Sequence, residues 1–285
     1  VPRVRGAAED RLTVRFPGAS APADAAAYTI IGAPLDRSAS FRAGARTGPA
    51  QVRRHAGHFD DYDHHTETHL SGLSVADVGD VDPFSPLGEY LRWLEGRVRD
   101  VVAAGAVPVL LGGEHTITRA GVTGTGAAGV VVADAHLDLR DALAGDADSH
   151  ATVLRHVGEV PDVEAVLIVG ARTGSADEWQ RVDTPPFGRL DAPGDVASVM
   201  AETAVDRWYL SVDIDVVDPG FAPATGTPEP FGLTPSAIRE LVATVAPACV
   251  GMDIVEVTDR DAGQTATLAA RLVRTFLHAH AAGAD

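Results

Sequence analysis

Short apolar, β-branched runs recur along this chain with helical stretches between them, and no other feature limits the possible folds as tightly. The clearest runs are YTIIGAP (28–34), VPVLL (107–111), GVVVAD (129–134), AVLIVG (165–170), WYLSVD (208–213) and VGMDIVE (250–256). Between them lie stretches such as SPLGEYLRWLEGRVRDVVAAG (85–105) and TPSAIRELVATVAP (234–247). The second opens with Thr234 as an N-cap and Pro235 at the first helical position. Strands that are apolar almost throughout are buried on both faces, so the pattern predicts a three-layer α/β/α fold around a mainly parallel central sheet. No repeat or linker divides the chain. Its 285 residues read as one domain, 1–285, with about the first 25 as an extended, loosely ordered lead-in.

Composition narrows the function classes. At 45% hydrophobic residues the chain has material for a large core, yet no run of about 18 apolar residues predicts a membrane span. The N-terminus lacks the apolar segment of a signal peptide, and the one cysteine, Cys249, forms no intrachain disulfide; both fit a reducing cytoplasm. The formal net charge is -17, and all 23 basic residues are Arg. So acidic a surface argues against nucleic acid as a partner. A GC-rich genome favours Arg over Lys, but it does not account for the acid excess. A salt-adapted cytoplasm does, because carboxylates keep the surface solvated while salt screens their repulsion.

In parallel sheets, ligands bind beyond the carboxyl ends of the strands. After VPVLL comes GGEHTIT, whose glycines allow a tight turn that delivers His115 to a helix start. After GVVVA comes DAHLD, where alternation along extended chain gives Asp134, His136 and Asp138 a common face. After WYLS comes VDIDVVDP, in which Asp213 and Asp215 share a face, and DIVEV carries Glu256 to the same edge. Two imidazoles and four carboxylates suit two divalent cations. Nitrogen and oxygen donors without thiolate favour Mn²⁺, ahead of Zn²⁺, Co²⁺ or Fe²⁺. The set therefore reads as a site for two Mn²⁺ per subunit that generates a bridging hydroxide at neutral pH.

These motifs resemble the ureohydrolase family of arginases, agmatinases and relatives, from about Gly32 to about Arg274. GGEHTIT, DAHLDLRD and SVDIDVVDP are similar to the family's metal signatures. GAPLDRSASFRAGARTGPAQVRR (32–54), DVGDV (77–81), FAPATGTPEP (221–230) and DIVEV (253–257) are nearest to the agmatinase branch. The resemblance implies that His115, Asp134, Asp138 and Asp213 hold one manganese, and Asp134, His136, Asp213 and Asp215 the other. It implies attack of the hydroxide on the guanidinium carbon, with Asp138 passing a proton to the leaving amine. His150 would shuttle protons or contact substrate, unless it merely starts a helix at the sheet edge. Glu256 would pair with the guanidinium, and Thr227 would line the pocket. It also implies a cytoplasmic homotrimer or homohexamer; the acid excess, separately, reads as a halophilic archaeon. Three positions depart from the pattern: Glu114 for Asp, Ala151 for Gly and Phe231 for Gly.

The tail beyond the guanidinium decides the substrate. Asp141, Asp146 and Asp148 would repel a carboxylate and attract the ammonium of agmatine, or they are general surface acidity. Arg140 would grip the acid tail of guanidinobutyrate, or salt-bridge a neighbouring Asp. Agmatine leads, giving urea and putrescine; guanidinobutyrate, arginine and aminopropylagmatine follow. A one-zinc deacetylase on the same fold would need neither His115 nor Asp215, and a silent scaffold homologue would have lost a ligand. FDDYDHHTETHL (59–70) reads as a solvated loop, and Trp93, Trp179 and Trp208 as core or interface. Arg42 and Arg46 either line the cleft or tie a loop to acids.

Overall fold

A computed structural model describes residues 14–283. Its central sheet has eight parallel strands: β1 (Tyr28–Ala33), β4 (Val75–Asp80), β5 (Val107–Gly112), β6 (Gly129–Ala133), β7 (Ala165–Val169), β8 (Phe187–Leu190), β9 (Trp208–Asp213) and β10 (Cys249–Val255). They stand in the order β4-β1-β5-β10-β9-β6-β7-β8. The six strands that carry apolar runs start and stop within a residue or two of those runs. The other two, β4 and β8, were not legible: VADVGD turns polar and half-buried, and FGRL is a half-buried strand at the sheet's edge. A separate antiparallel pair, β2 (Tyr62–Asp63) and β3 (Thr68–His69), replaces the irregular loop expected over 59–70.

Helices cover both faces. Helices α1 (Gly48–Ala56), α6 (Val196–Glu202), α7 (Pro235–Val245) and α8 (Gln264–Gly283) pack on one side. Helices α2 (Leu87–Ala103), α3 (Thr118–Thr125), α4 (Val153–Gly158) and α5 (Ala176–Arg181) pack on the other. The strands divide their side chains between the two cores by strict alternation. Ile30 faces the first and Ile31 the second; Val109 and Leu111 face the first and Leu110 the second. Both sets are buried, which is why the strands read as unbroken apolar runs. Thr234 caps α7 as expected, its hydroxyl accepting from the Ala237 amide at 3.2 Å. Trp208 is core, with its indole N–H donating to the Val205 carbonyl.

Residues 14–25 do not hang free. Phe16 is buried and its amide donates to Asp77 at 2.8 Å, while Ala19 bridges to Val75 on β4. Asp77 in turn makes a two-bond pair with the buried Arg53 of α1. The remainder of the expected lead-in, 1–13, lies outside the described residues. Among the described residues no helix is long and apolar enough to cross a membrane. For function the decisive fact is strand order. β5, β10, β9 and β6 occupy four consecutive places, so the segments following them emerge side by side.

Candidate metal centre

Each of those four strands ends on chemistry. β5 runs into Gly113, which packs so close to Leu35 that a Cβ would lie 2.0 Å from its carbonyl oxygen. That close turn sets His115 at the start of the turn feeding α3, buried completely. β9 ends in Asp213, which accepts from the Asp215 amide at 3.0 Å and so tightens the turn that presents both carboxylates. β10 is followed by Glu256 in a left-handed conformation, φ 61°.

The segment after β6 converges for a different reason than expected. Alternation along a strand does not align Asp134, His136 and Asp138, because the strand stops at Ala133. Instead Asp134 accepts from the His136 amide at 2.7 Å, and Asp138 takes a left-handed φ of 49°. A short Asp-based turn plus one left-handed residue brings the three side chains together where extended chain would have carried them apart.

All six predicted ligands meet. His115 Nδ1 lies 3.2 Å from Asp134, 3.2 Å from Asp138 and 3.4 Å from Asp213. His136 Nδ1 lies 2.9 Å from Asp215 and 3.5 Å from Asp134. Donor atoms of His115, Asp134 and Asp138 fall within 4.8 Å of one another, as do those of Asp134, His136 and Asp215, with Asp134 common to both groups. The electrostatics are those of crowded buried acids. Burial first, then Asp215 and Asp134, pushes Asp213 well above the carboxylate range. Burial opposes a charge on His136, yet Asp215 and Asp134 push it up to about 12. Burial would also raise Asp134, but the neighbouring His115 and His136 rings hold it below the usual range.

Two buried atoms decide whether a cation fits. His115 Nδ1 and Asp134 Oδ2 are sealed from solvent and have no hydrogen-bond partner. Buried polar atoms are normally paired, and an unpaired one costs ~1–3 kcal/mol. Both face the same cluster of carboxylates, so a divalent cation satisfies lone pairs and charge together.

Beside the cluster is a cavity of about 240 Å³, lined in part by Asp138, His150, Thr227, Glu229 and Glu256. His150 starts the turn leading into α4, and its Nδ1 lies 2.9 Å from the Ser38 hydroxyl. Glu256 accepts from the His115 amide at 2.8 Å, and burial, then Glu114, pushes it up to about 8. Glu114, the departure from Asp, takes two amide and two hydroxyl hydrogen bonds from Arg37, Ser38 and Thr116, and so anchors the loop over the cavity.

A sequence profile of the arginase family matches residues 26–279. The chain belongs to the arginase family. Like other members, it is a hydrolase acting on C–N bonds. It is 33% identical to the N(1)-aminopropylagmatine ureohydrolase of Thermococcus kodakarensis over 87% of this chain and 88% of that protein. It is 33% identical to the guanidinobutyrase of Pseudomonas aeruginosa over 97% of this chain and 93% of that protein. The agmatine ureohydrolase of Thermoplasma volcanium superposes with a TM-score of 0.86 at 30% identity, covering 94% of each chain.

The cavity of this arginase-family chain decides between the two readings of the acidic loop in favour of surface acidity. Asp141, Asp146 and Asp148 do not line it. Asp141 pairs with Arg181 at 2.9 Å, Asp146 pairs with Arg37 at 2.8 Å, and Asp148 lies 3.7 Å from His156. The lining acids that sequence reasoning missed are Asp36, Glu178 and Glu229. Glu178 carried only the signature of a helix cap with Ser175, and it does cap α5. It also holds Arg140 at 3.3 Å, which settles that arginine's partner as a glutamate and not a neighbouring Asp. Arg46 ties to Asp36, whereas Arg42 lines the cavity.

Proposed function

We propose that this hydrolase cleaves agmatine to urea and putrescine with two Mn²⁺ per subunit, acting as a homotrimer or homohexamer. The observation that carries the amine tail is the charge lining the cavity. Arg140, the cation suited to an acid tail, is held by Glu178, while no arginine pairs with the Glu229 carboxylate among the described residues. An ammonium group is the complement of that lining. Relatives act on agmatine and aminopropylagmatine, which agrees.

His115, Asp134, Asp138 and Asp213 would hold one cation, and Asp134, His136, Asp213 and Asp215 the other. When bound, such a pair supplies a water that is nucleophilic at neutral pH. The remaining work falls to this chain's own groups. The Glu256 carboxylate pairs with the guanidinium, a planar fork that suits two parallel hydrogen bonds. Asp138 carries the proton to the departing amine nitrogen. His150, oriented by Ser38, relays a proton between the cavity and solvent. The Thr227 hydroxyl steadies the reacting carbon's substituents from the Gly- and Pro-rich loop.

One observation favours guanidinobutyrate as a second reading. Arg42 lines the cavity with its guanidinium 4.6 Å from the Phe41 ring and no carboxylate partner among the described residues. Urea release from agmatine, aminopropylagmatine, guanidinobutyrate and arginine, with bound Mn²⁺ counted, separates the cases. Agmatine is expected to have the highest kcat/KM, and chelation to abolish turnover. Preference for guanidinobutyrate transfers the tail to Arg42. Silence with two ions bound removes all four substrates, and silence without bound metal removes the reading entirely.

A further inference from the structure

Four polar side chains on the α3 side of the sheet are sealed from solvent: Thr118, Tyr209, Ser211 and Asp253. None lines the cavity and none belongs to the six-residue cluster. Asp253 is the only charged residue of β10, and a carboxylate amid apolar side chains is costly unless hydrogen-bonded. It sits directly opposite Ser211 of β9 in the parallel register. The Ser211 hydroxyl donates to one Asp253 oxygen at 2.6 Å, and the Tyr209 hydroxyl donates to the other at 3.0 Å.

The direction of these bonds has a consequence at His115. Ser211 Oγ lies 3.1 Å from His115 Nε2. A hydroxyl has one proton, and that of Ser211 is on the bond to Asp253, so toward the imidazole it accepts. The His115 proton is therefore on Nε2. Nδ1 keeps its lone pair, and this is the atom that faces Asp134, Asp138 and Asp213 without a hydrogen bond. Thr118 Oγ1 lies 3.2 Å from Ser211 Oγ and completes the serine's surroundings.

The surrounding backbone is shaped to admit this arrangement. A Cβ on Gly121, inside α3, would lie 2.2 Å from the Tyr209 hydroxyl, and one on Gly251 would lie 3.0 Å from its ring. A glycine inside a helix is unfavourable relative to alanine, so α3 is weakened where it makes room for that donor.

We propose that Asp253, acting through Ser211, is a positioning residue that fixes the Nε2–H tautomer of His115 and so keeps Nδ1 free to bind metal. The inference rests on the cation pair proposed above. It is selective, because His115 belongs to one of the two groups of donors and His136 to the other.

The test is Mn²⁺ titration of the full chain by calorimetry, with bound ions counted by electron paramagnetic resonance. The unaltered protein should take up two ions. Ser211→Ala and Asp253→Leu should weaken one ion by roughly 10–100-fold and leave the other within about twofold, while Ser211→Thr should restore both. Unchanged affinities for both ions, with only the metal-free Tm lowered, would overturn the positioning role and leave the hydrolase reading intact. An unaltered protein that binds no Mn²⁺ would overturn both. Should either variant fail to fold, ¹⁵N shifts of His115 in the unaltered, Zn²⁺-loaded protein report the tautomer directly. Protonated Nε2 with a proton-free, metal-bound Nδ1 is expected, and a proton on Nδ1 would overturn the proposal.

Discussion

Two residues lining the cavity, Asp138 at φ 49° and Glu256 at 61°, and the exposed Phe231 at 66° hold backbone conformations that side chains rarely adopt. Strain of this kind persists where surrounding structure over-determines it, often at functional sites. For Asp138 and Glu256 the reason is visible, since the left-handed turn aims a carboxylate at the cluster. Removing the Glu256 charge while keeping its shape tests its part in recognition. Glu256→Gln still accepts from the His115 amide but loses a charge-assisted pair with the guanidinium, ~2 kcal/mol, so kcat/KM on agmatine should fall about 30-fold. Unchanged kinetics would remove Glu256 from the substrate's partners. Phe231 differs, its side chain being 94% exposed while its amide is held by the Asp218 carboxylate. Phe231→Gly forfeits no burial and relieves the left-handed penalty, so stability should rise by ~1 kcal/mol, read as a higher urea midpoint at constant m-value. The six clustered residues were legible in the sequence because each follows an apolar run. How three of them converge was not, since a left-handed Asp138 leaves no mark on residue spacing.

At the scale of elements, local sequence reports what an element buries, and it is silent where the element borrows its order from neighbours. The six apolar strands could be read, whereas β4 and β8 are placed by the strands beside them. The acidic loop after β6 stayed open between two readings for a related reason. Its charges were plain in sequence, but Arg37 and Arg181, which turn Asp146 and Asp141 from the cavity, come from distant segments. Helix α8 carries a further long-range tie. His280 joins the Tyr28 hydroxyl, 3.0 Å from Nδ1, to the Cys249 carbonyl, 3.0 Å from Nε2. Such bridging suits a neutral ring that donates from Nε2 and accepts at Nδ1. Burial lowers the pKa of His280, and also that of His278 two residues before it, below the ordinary 6.5. A histidine whose folded pKa is depressed binds fewer protons than in the unfolded chain, so its contribution is complete above pH 6.5. It is lost as pH falls from there through the folded value. Tm should therefore drop between pH 7.5 and 5.5, and His280→Gln, which can still donate to Cys249, should flatten part of that drop. An identical pH profile for the variant would show that His280 does not report on acid stability.

Across the whole molecule, charge is the property least explained by fold. A net -17 on 285 residues means that arginine pairing leaves many carboxylates facing like neighbours. Exposed pairs such as Arg155–Glu159 and Arg181–Asp141 are screened by solvent and contribute little, so they do not offset a global excess. Self-repulsion acts on the compact state more than on the expanded chain, and salt shortens its reach from about 10 Å at 0.1 M to about 3 Å at 1 M. Raising KCl from 0.1 to 2 M at pH 7 should therefore raise Tm, provided metal content is held constant, because bound cations stabilise by mass action. Carboxylate repulsion makes a second demand on the same measurement. At pH ~4 carboxylates as a class begin to take up protons and the negative excess falls, so the gain from KCl should shrink. A KCl effect of equal size at both pH values would point to solvation of the surface and not to repulsion. No KCl effect at either pH would mean that the acidity has no part in stability, leaving the all-arginine, acid-rich composition as a mark of the genome alone.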